Sequence, residues 1–181
     1  MPKKCDHTSV GQIIRDASDR ILVIDRHNYP QAVALPAGHV DGDRSFVEAA
    51  LRETAEEVGV IVPEAKNVLV FQEKIDNPCK REGGSHLLWG VYSAVSWAGE
   101  VRAGSDAKNF RWLSPTSLQD LAFRTQMLSE KYEIPCEQVG RLTKAIFGND
   151  PTGADTDIGW MMNPGLEPVW WYMLKKIGIL G

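Results

Sequence analysis

The sequence predicts an α/β fold: a mixed β-sheet flanked by helices in one domain, with a helical C-terminal extension. Three observations predict it. Short β-rich runs alternate with turn-forming clusters in the first third of the chain. A well-capped helix interrupts them, and further β-rich runs follow it. From about Met127 onward the pattern is mostly helical, broken by Pro135, by positions 148–153 and by Asn163-Pro164-Gly165.

Taken in order, His7 to Ile14 and Arg20 to Ile24 read as two strands separated by the turn cluster Asp16-Ala17-Ser18-Asp19. Ala32 to Leu35 is a short third strand ended by Pro36, and Gly38 to Arg44 is a loop of small and acidic residues. Ser45 followed by Glu48 is a capping-box pattern, in which each side chain can satisfy a backbone donor. Gly59 stands where a left-handed cap would end the helix, so the spacing predicts a helix over Phe46–Val58. Asn67 to Ile75 and Ser85 to Trp97 read as strands, joined by a polar loop from Asp76 to Gly84. Phe110 to Leu113 is a further short strand, and Pro115 opens a helix over Thr116–Gln126. The expected organisation is a catalytic core over residues 1–125 and a helical extension over 126–181, packed on the same domain.

The 181 residues suffice for one domain with a conventional hydrophobic core. A formal charge of −4 gives no reason to expect tight binding to a nucleic-acid backbone. The opening Met1-Pro2-Lys3-Lys4 leads into polar residues, not the apolar run of a secretory signal, and no stretch is long enough to span a bilayer. Cys5, Cys79 and Cys136 are scattered and odd in number, which argues against a disulfide framework and for a reducing cytoplasm. Cys5-x-His7 has the form of half a zinc site, but no paired Cys or His cluster completes it in the sequence. The three cysteines therefore read as ordinary reduced thiols.

The segment GHVDGDRSFVEAALRETAEEVGV, from Gly38 to Val60, carries the chemistry. On a helix, Glu53, Glu56 and Glu57 stand at i, i+3 and i+4 and share one face. Like charges at that spacing destabilise an isolated helix, and the C-terminal end of the macrodipole disfavours Glu56 and Glu57 further. A divalent cation reverses that sign, and clustered carboxylates suit a hard ion such as Mg²⁺. Arg52, offset from the acidic face, can brace helix and loop through carboxylates or backbone carbonyls. Acids at helical spacing usually mark only a solvated face.

Here the segment also resembles the Nudix box, G-x5-E-x7-R-E-U-x-E-E-x-G-U, with U a bulky apolar residue. Gly38, Arg52, Glu53, Glu56, Glu57, Gly59 and Val60 all fall at the required positions. The resemblance implies an α/β/α sandwich over roughly residues 7 to 125 and a Mg²⁺-dependent pyrophosphohydrolase, with Mn²⁺ as a substitute metal. It implies Glu53, Glu56, Glu57 and the Ala37 carbonyl as metal ligands, with Arg52 and the three acids as the catalytic set. Glu53 is the first choice for general base, with Glu100 and Asp106 as outside candidates that also read as plain surface acids. Two positions depart from the pattern: Arg44 replaces the first glutamate of the box, where Asp41 or Asp43 would have to compensate, and Thr54 replaces an apolar residue.

The expected substrate is a nucleoside diphosphate linked to another group, cleaved by metal-activated water. Lys80, Arg81 and His39 are candidates to face it, each with plain solvation as the alternative. Pro78 faintly suggests an ADP-ribose-like compound, and the lack of a tyrosine between Val60 and Tyr92 speaks mildly against dinucleoside polyphosphates. In the tail, Trp160-Met161-Met162 and Trp170-Trp171-Tyr172 suit packing better than base stacking. Whether they cover their own domain or form a homodimer contact is open. The competing functions are a catalytically inactive nucleotide-sensing module, to which Arg44 lends slight support, and an isomerase acting on an isoprenoid diphosphate. The isomerase would want a catalytic cysteine in a recognisable motif, and none is present.

Overall fold

The computed structural model describes residues 4–82, 84–104, 106–150 and 152–181. Met1-Pro2-Lys3 of the opening segment and Gly83 of the paired glycines lie outside the described residues, as do Ser105 and Pro151. The strands are β1 (Thr8–Ile13), β2 (Ile21–Arg26), β3 (Val33–Ala34), β4 (Ala37–Gly38), β5 (Asn67–Glu73), β6 (Asn77–Pro78), β7 (Ser85–His86), β8 (Leu88–Ala94) and β9 (Ala107–Leu113). The α-helices are α1 (Phe46–Val58), α2 (Pro115–Tyr132), α3 (Val139–Phe147), α4 (Ile158–Met162) and α5 (Pro168–Lys176). They enclose a four-stranded mixed sheet in the order β4-β1-β8-β5, a three-stranded antiparallel sheet β3-β2-β9, and the small β6-β7 hairpin.

β1 lies parallel to β8 and antiparallel to β4, and both of its faces are covered. Val10 points into a small cluster with Ala49 and Ala50 of α1, against which Phe46 packs. Its neighbour Gly11 faces the other way, where a Cβ would stand 2.4 Å from the Trp170 ring of α5. The period-2 alternation of a strand thus sends successive residues into two helical layers, which gives β1 its continuous buried run. Trp170 is fully buried and meets Trp89 edge to face, while Trp160 packs on Phe147 and donates its indole N–H to the Gln31 carbonyl. The tail aromatics therefore fill the core of their own chain.

Helix α1 has the expected bounds. Ser45, in extended backbone, accepts from the Glu48 N–H at 3.2 Å, and Gly59 ends the helix at φ 70°. The Glu48 carboxylate reaches the Arg44 N–H at 3.0 Å, one residue before the donor that a capping box would use. Elsewhere the expectation needs correcting. Ala37 and Gly38 form a strand edge on β1 and not the start of a loop, because pairing with β1 satisfies their backbone. The Ser85–Trp97 run is two strands broken at Leu87, where the Leu87 and Leu88 N–H groups both donate to the His7 carbonyl. Helix α2 runs six residues past Gln126, since nothing in Met127–Tyr132 breaks it. No helix among the described residues is long and apolar enough to cross a membrane.

Candidate active site

Two hydrogen bonds hold the acidic end of α1 in place. The Arg102 N–H donates to the Val58 carbonyl at 3.0 Å, and the Gly104 N–H to the Glu57 carbonyl at 2.7 Å. These satisfy carbonyls that a free helix end would leave to water. A Cβ at Gly104 would lie 2.3 Å from the Glu56 carbonyl oxygen, so only glycine allows this approach. At the facing strand, a Cβ on Gly38 would fall 1.9 Å from the carboxyl carbon of Glu53. Gly38 leaves the space that this carboxylate occupies.

Arg52 braces the region. It donates to Asp43 at 2.8–2.9 Å, to Glu53 at 2.7 Å, to Glu56 at 3.1 Å and to the His39 carbonyl at 2.9 Å. Burial works against its charge, but the bonds to Asp43 and Glu53 keep it firmly protonated. Asp43 supplies the acid that Arg44 does not, and the Arg44 side chain stands in solvent. Asp41 pairs instead with Arg81.

A pocket of about 130 Å³ opens beside these residues. Glu53, Glu57 and Ala37 line it, as do Lys80, Arg81, His39, Pro78 and Asp106. Glu53 is only 15% exposed, whereas Glu56 is 61% exposed and lies on the outer side against Arg52. Glu100 is exposed and does not line the pocket. Several lining residues carry no local sequence signal: Arg26 at the end of β2, Tyr29, Asn77, and Glu167 from the C-terminal tail. Arg26 donates to Glu167 at 3.1 Å across 141 positions of sequence. The buried oxygens Asn77 Oδ1 and Glu167 Oε1 have no hydrogen-bond partner among the described residues.

The electrostatics single out Glu57. Burial raises its carboxyl to about 8, and Glu53 and Asp106 push the same way, against the Ala37 N–H at 2.8 Å and the charge of Arg26. Burial also raises Glu53 above the ordinary carboxylate range, with Glu56 and Asp41 adding to it against Arg52. Two enclosed carboxylates whose burial works against their charge are a hard, all-oxygen donor set, and a divalent cation fits it by relieving their repulsion. The imidazoles nearby are kept neutral: burial and Arg81 lower His39 to about 4, and burial and His39 lower His86 to about 3.

Comparisons with known proteins identify the family and the fold. A NUDIX domain model matches residues 6–133. An ADP-ribose pyrophosphatase from Methanocaldococcus jannaschii is 32% identical over 121 residues, 66% of this chain and 69% of that protein. An asymmetrical bis(5'-nucleosyl)-tetraphosphatase from Rattus norvegicus is 27% identical over 139 residues, 74% of this chain and 86% of that one. Among solved structures, a MutT NUDIX hydrolase from Burkholderia pseudomallei superposes with a TM-score of 0.52 at 25% identity, covering 61% of this chain and 84% of that one.

Proposed function

The chain belongs to the Nudix hydrolase family, and from that premise we propose that it cleaves the pyrophosphate bond of a nucleoside diphosphate joined to a second group. The observation that carries this reading is the enclosure of Glu53 and Glu57 in one pocket, where burial raises Glu57 to about 8. Glu53, Glu57 and the Ala37 carbonyl would hold a divalent cation, Mg²⁺ or Mn²⁺, with Glu56 joining from the outer side of the helix. Bound there, the cation would neutralise the diphosphate and make a water acidic enough to attack phosphorus.

The protein's own groups divide the remaining work. Arg52 fixes the orientation of Glu53 and ties the helix to the loop after β4. Glu53 is the first candidate to accept the proton of the attacking water, and Asp106 is the second on the pocket wall. Lys80 and Arg81 line the same pocket and can take phosphate oxygens, Arg81 by exchanging its pair with Asp41. Asn77 Oδ1 and Glu167 Oε1 are acceptors in want of donors, which the hydroxyls of a ribose would supply. The tail would thus act as an extension of the catalytic core, packed on it and lending Glu167 to the substrate wall. Three free cysteines suit a reducing cytoplasm.

ADP-ribose is the first substrate to try, because Pro78 lines the pocket and one relative is named for that compound. A bis(5'-nucleosyl) tetraphosphate is the second. The test is product release from a panel of such compounds with Mg²⁺, comparing the native protein with Glu57→Gln. Metal-dependent turnover that collapses in the variant supports the proposal. Nucleotide binding without turnover in either protein would replace it with a sensing module.

A further inference from the structure

At one corner of the pocket four side chains meet that no stretch of sequence joins. Cys5 precedes β1, His39 follows β4, Cys79 follows β6, and His86 lies in β7. One donor atom each from Cys5, His39 and His86 falls within 4.8 Å of the other two. Cys79 adjoins this set: its Sγ is 3.3 Å from His39 Nε2, and its thiol interacts with that of Cys5. Cys5 Sγ is 3.9 Å from the same nitrogen. Donors at zinc bond lengths of about 2.0–2.3 Å around a tetrahedron stand roughly 3.3–3.8 Å apart, close to the 3.3 and 3.9 Å of the two sulfur contacts to His39.

The surroundings also favour a metal over a chance cluster. His39 Nε2 finds two sulfurs, which are poor hydrogen-bond partners for a buried ring nitrogen. His86 directs Nδ1 at the Thr8 carbonyl, 3.4 Å away, which assigns the proton to Nδ1 and leaves Nε2 as a lone-pair donor. His7, the partner suggested by Cys5-x-His7, is exposed and bonds through Nδ1 to the Ser85 carbonyl, so it is not part of the set.

We propose that Cys5, His39, Cys79 and His86 hold a zinc ion in a closed structural site. Two thiolates and two imidazoles select zinc, whereas the carboxylates of the same pocket select a harder ion. With four protein ligands the ion has no open position for chemistry. Its effect is to clamp the segment before β1 and the β6-β7 hairpin onto the residue after Gly38. That hairpin carries Asn77, Pro78, Lys80 and Arg81, so the ion sets one wall of the pocket. The proposal is independent of the hydrolytic reading, and its test reads metal content.

Zinc is measured by elemental analysis in reduced, dialysed full-length protein produced with zinc in the medium. About one zinc per chain is expected. Adding Co²⁺ to the zinc-stripped protein should give the intense visible bands of tetrahedral cobalt and a thiolate charge-transfer band. Cys79→Ser and His86→Asn should each weaken zinc binding at least about tenfold, while Cys136→Ser leaves it unchanged. Circular dichroism identifies any variant that fails to fold, and the cobalt spectrum of the native protein decides the matter without variants. Folded, reduced native protein that holds no zinc and gives no cobalt–thiolate band overturns the proposal. So does unchanged zinc in folded Cys79→Ser and His86→Asn, or a Cys5–Cys79 disulfide in metal-free protein as purified.

Discussion

Glu57 and Asp157 are both acids withdrawn from solvent, and the protein treats them in opposite ways. Asp157, at the start of α4, is surrounded by donors: Lys131, the Tyr132 hydroxyl at 2.6 Å and the Trp160 N–H at 3.1 Å. Burial alone would raise its carboxyl, yet these donors hold it at about 2. Glu57 has one N–H, a more distant arginine and two neighbouring acids, and stands at about 8. The first arrangement lowers the free energy of the fold and asks for nothing more. The second raises it, and becomes favourable only when positive charge arrives from outside. The contrast separates a carboxylate that serves the fold from one the fold holds ready for a ligand.

The largest expected effect is on catalysis. Glu57→Gln should lower kcat/KM by at least about 100-fold, since even outer-shell partners of a metal are worth ten- to a hundredfold. Gly38→Ala should cost on the order of 100-fold in kcat by displacing the Glu53 carboxylate, with circular dichroism close to native. Stability should then move the other way at the site. In magnesium-free protein the folded state keeps a proton on Glu57 up to about pH 8, while the unfolded chain loses it near 4.5. The folded state binds more protons in that window, so stability falls as pH rises from 4.5 to 8, by on the order of a few kcal/mol. Glu57→Gln should remove that slope and raise Tm at pH 8; an unchanged slope would break the comparison. At Asp157 the sign reverses. Its contribution is full above pH 3.8 and is lost as pH falls through about 2, and Asp157→Ala should cost about 1–2 kcal/mol in urea unfolding through loss of the cap. Smallest of all, Arg44→Glu should change stability by less than about 0.5 kcal/mol, because Asp43 already holds Arg52.

How much of this was legible in the sequence depends on the range of the forces involved. Helix α1 could be read to the residue because Ser45 and Gly59 act within a turn of themselves. The acids could be read as a set because their spacing is helical. Which of them enter the pocket could not, since Gly38 and the 102–104 segment decide it from elsewhere in the chain. Arg26 and Glu167 were invisible for the same reason, each an ordinary polar residue until β2 and the tail converge, and Asp106 could be read only as an outside candidate until the approach to β9 brings it to the pocket. The two-residue strand Ala37–Gly38 escaped notice because its extended form is imposed by β1. The Cys5, His39, Cys79 and His86 group has no local spacing at all, so only the tertiary structure assembles it.

The burial of β1 from both sides bears on how the molecule is made. Its parallel neighbour β8 leaves the ribosome about 80 residues later, and the helix that seals its second face about 160 residues later. β1, made before the other described strands, is therefore among the last to be enclosed, and its apolar run must wait exposed in the nascent chain. Closing the domain waits until α5 has been made, and until then the apolar run of β1 is a surface for chaperones that shield unpaired strands.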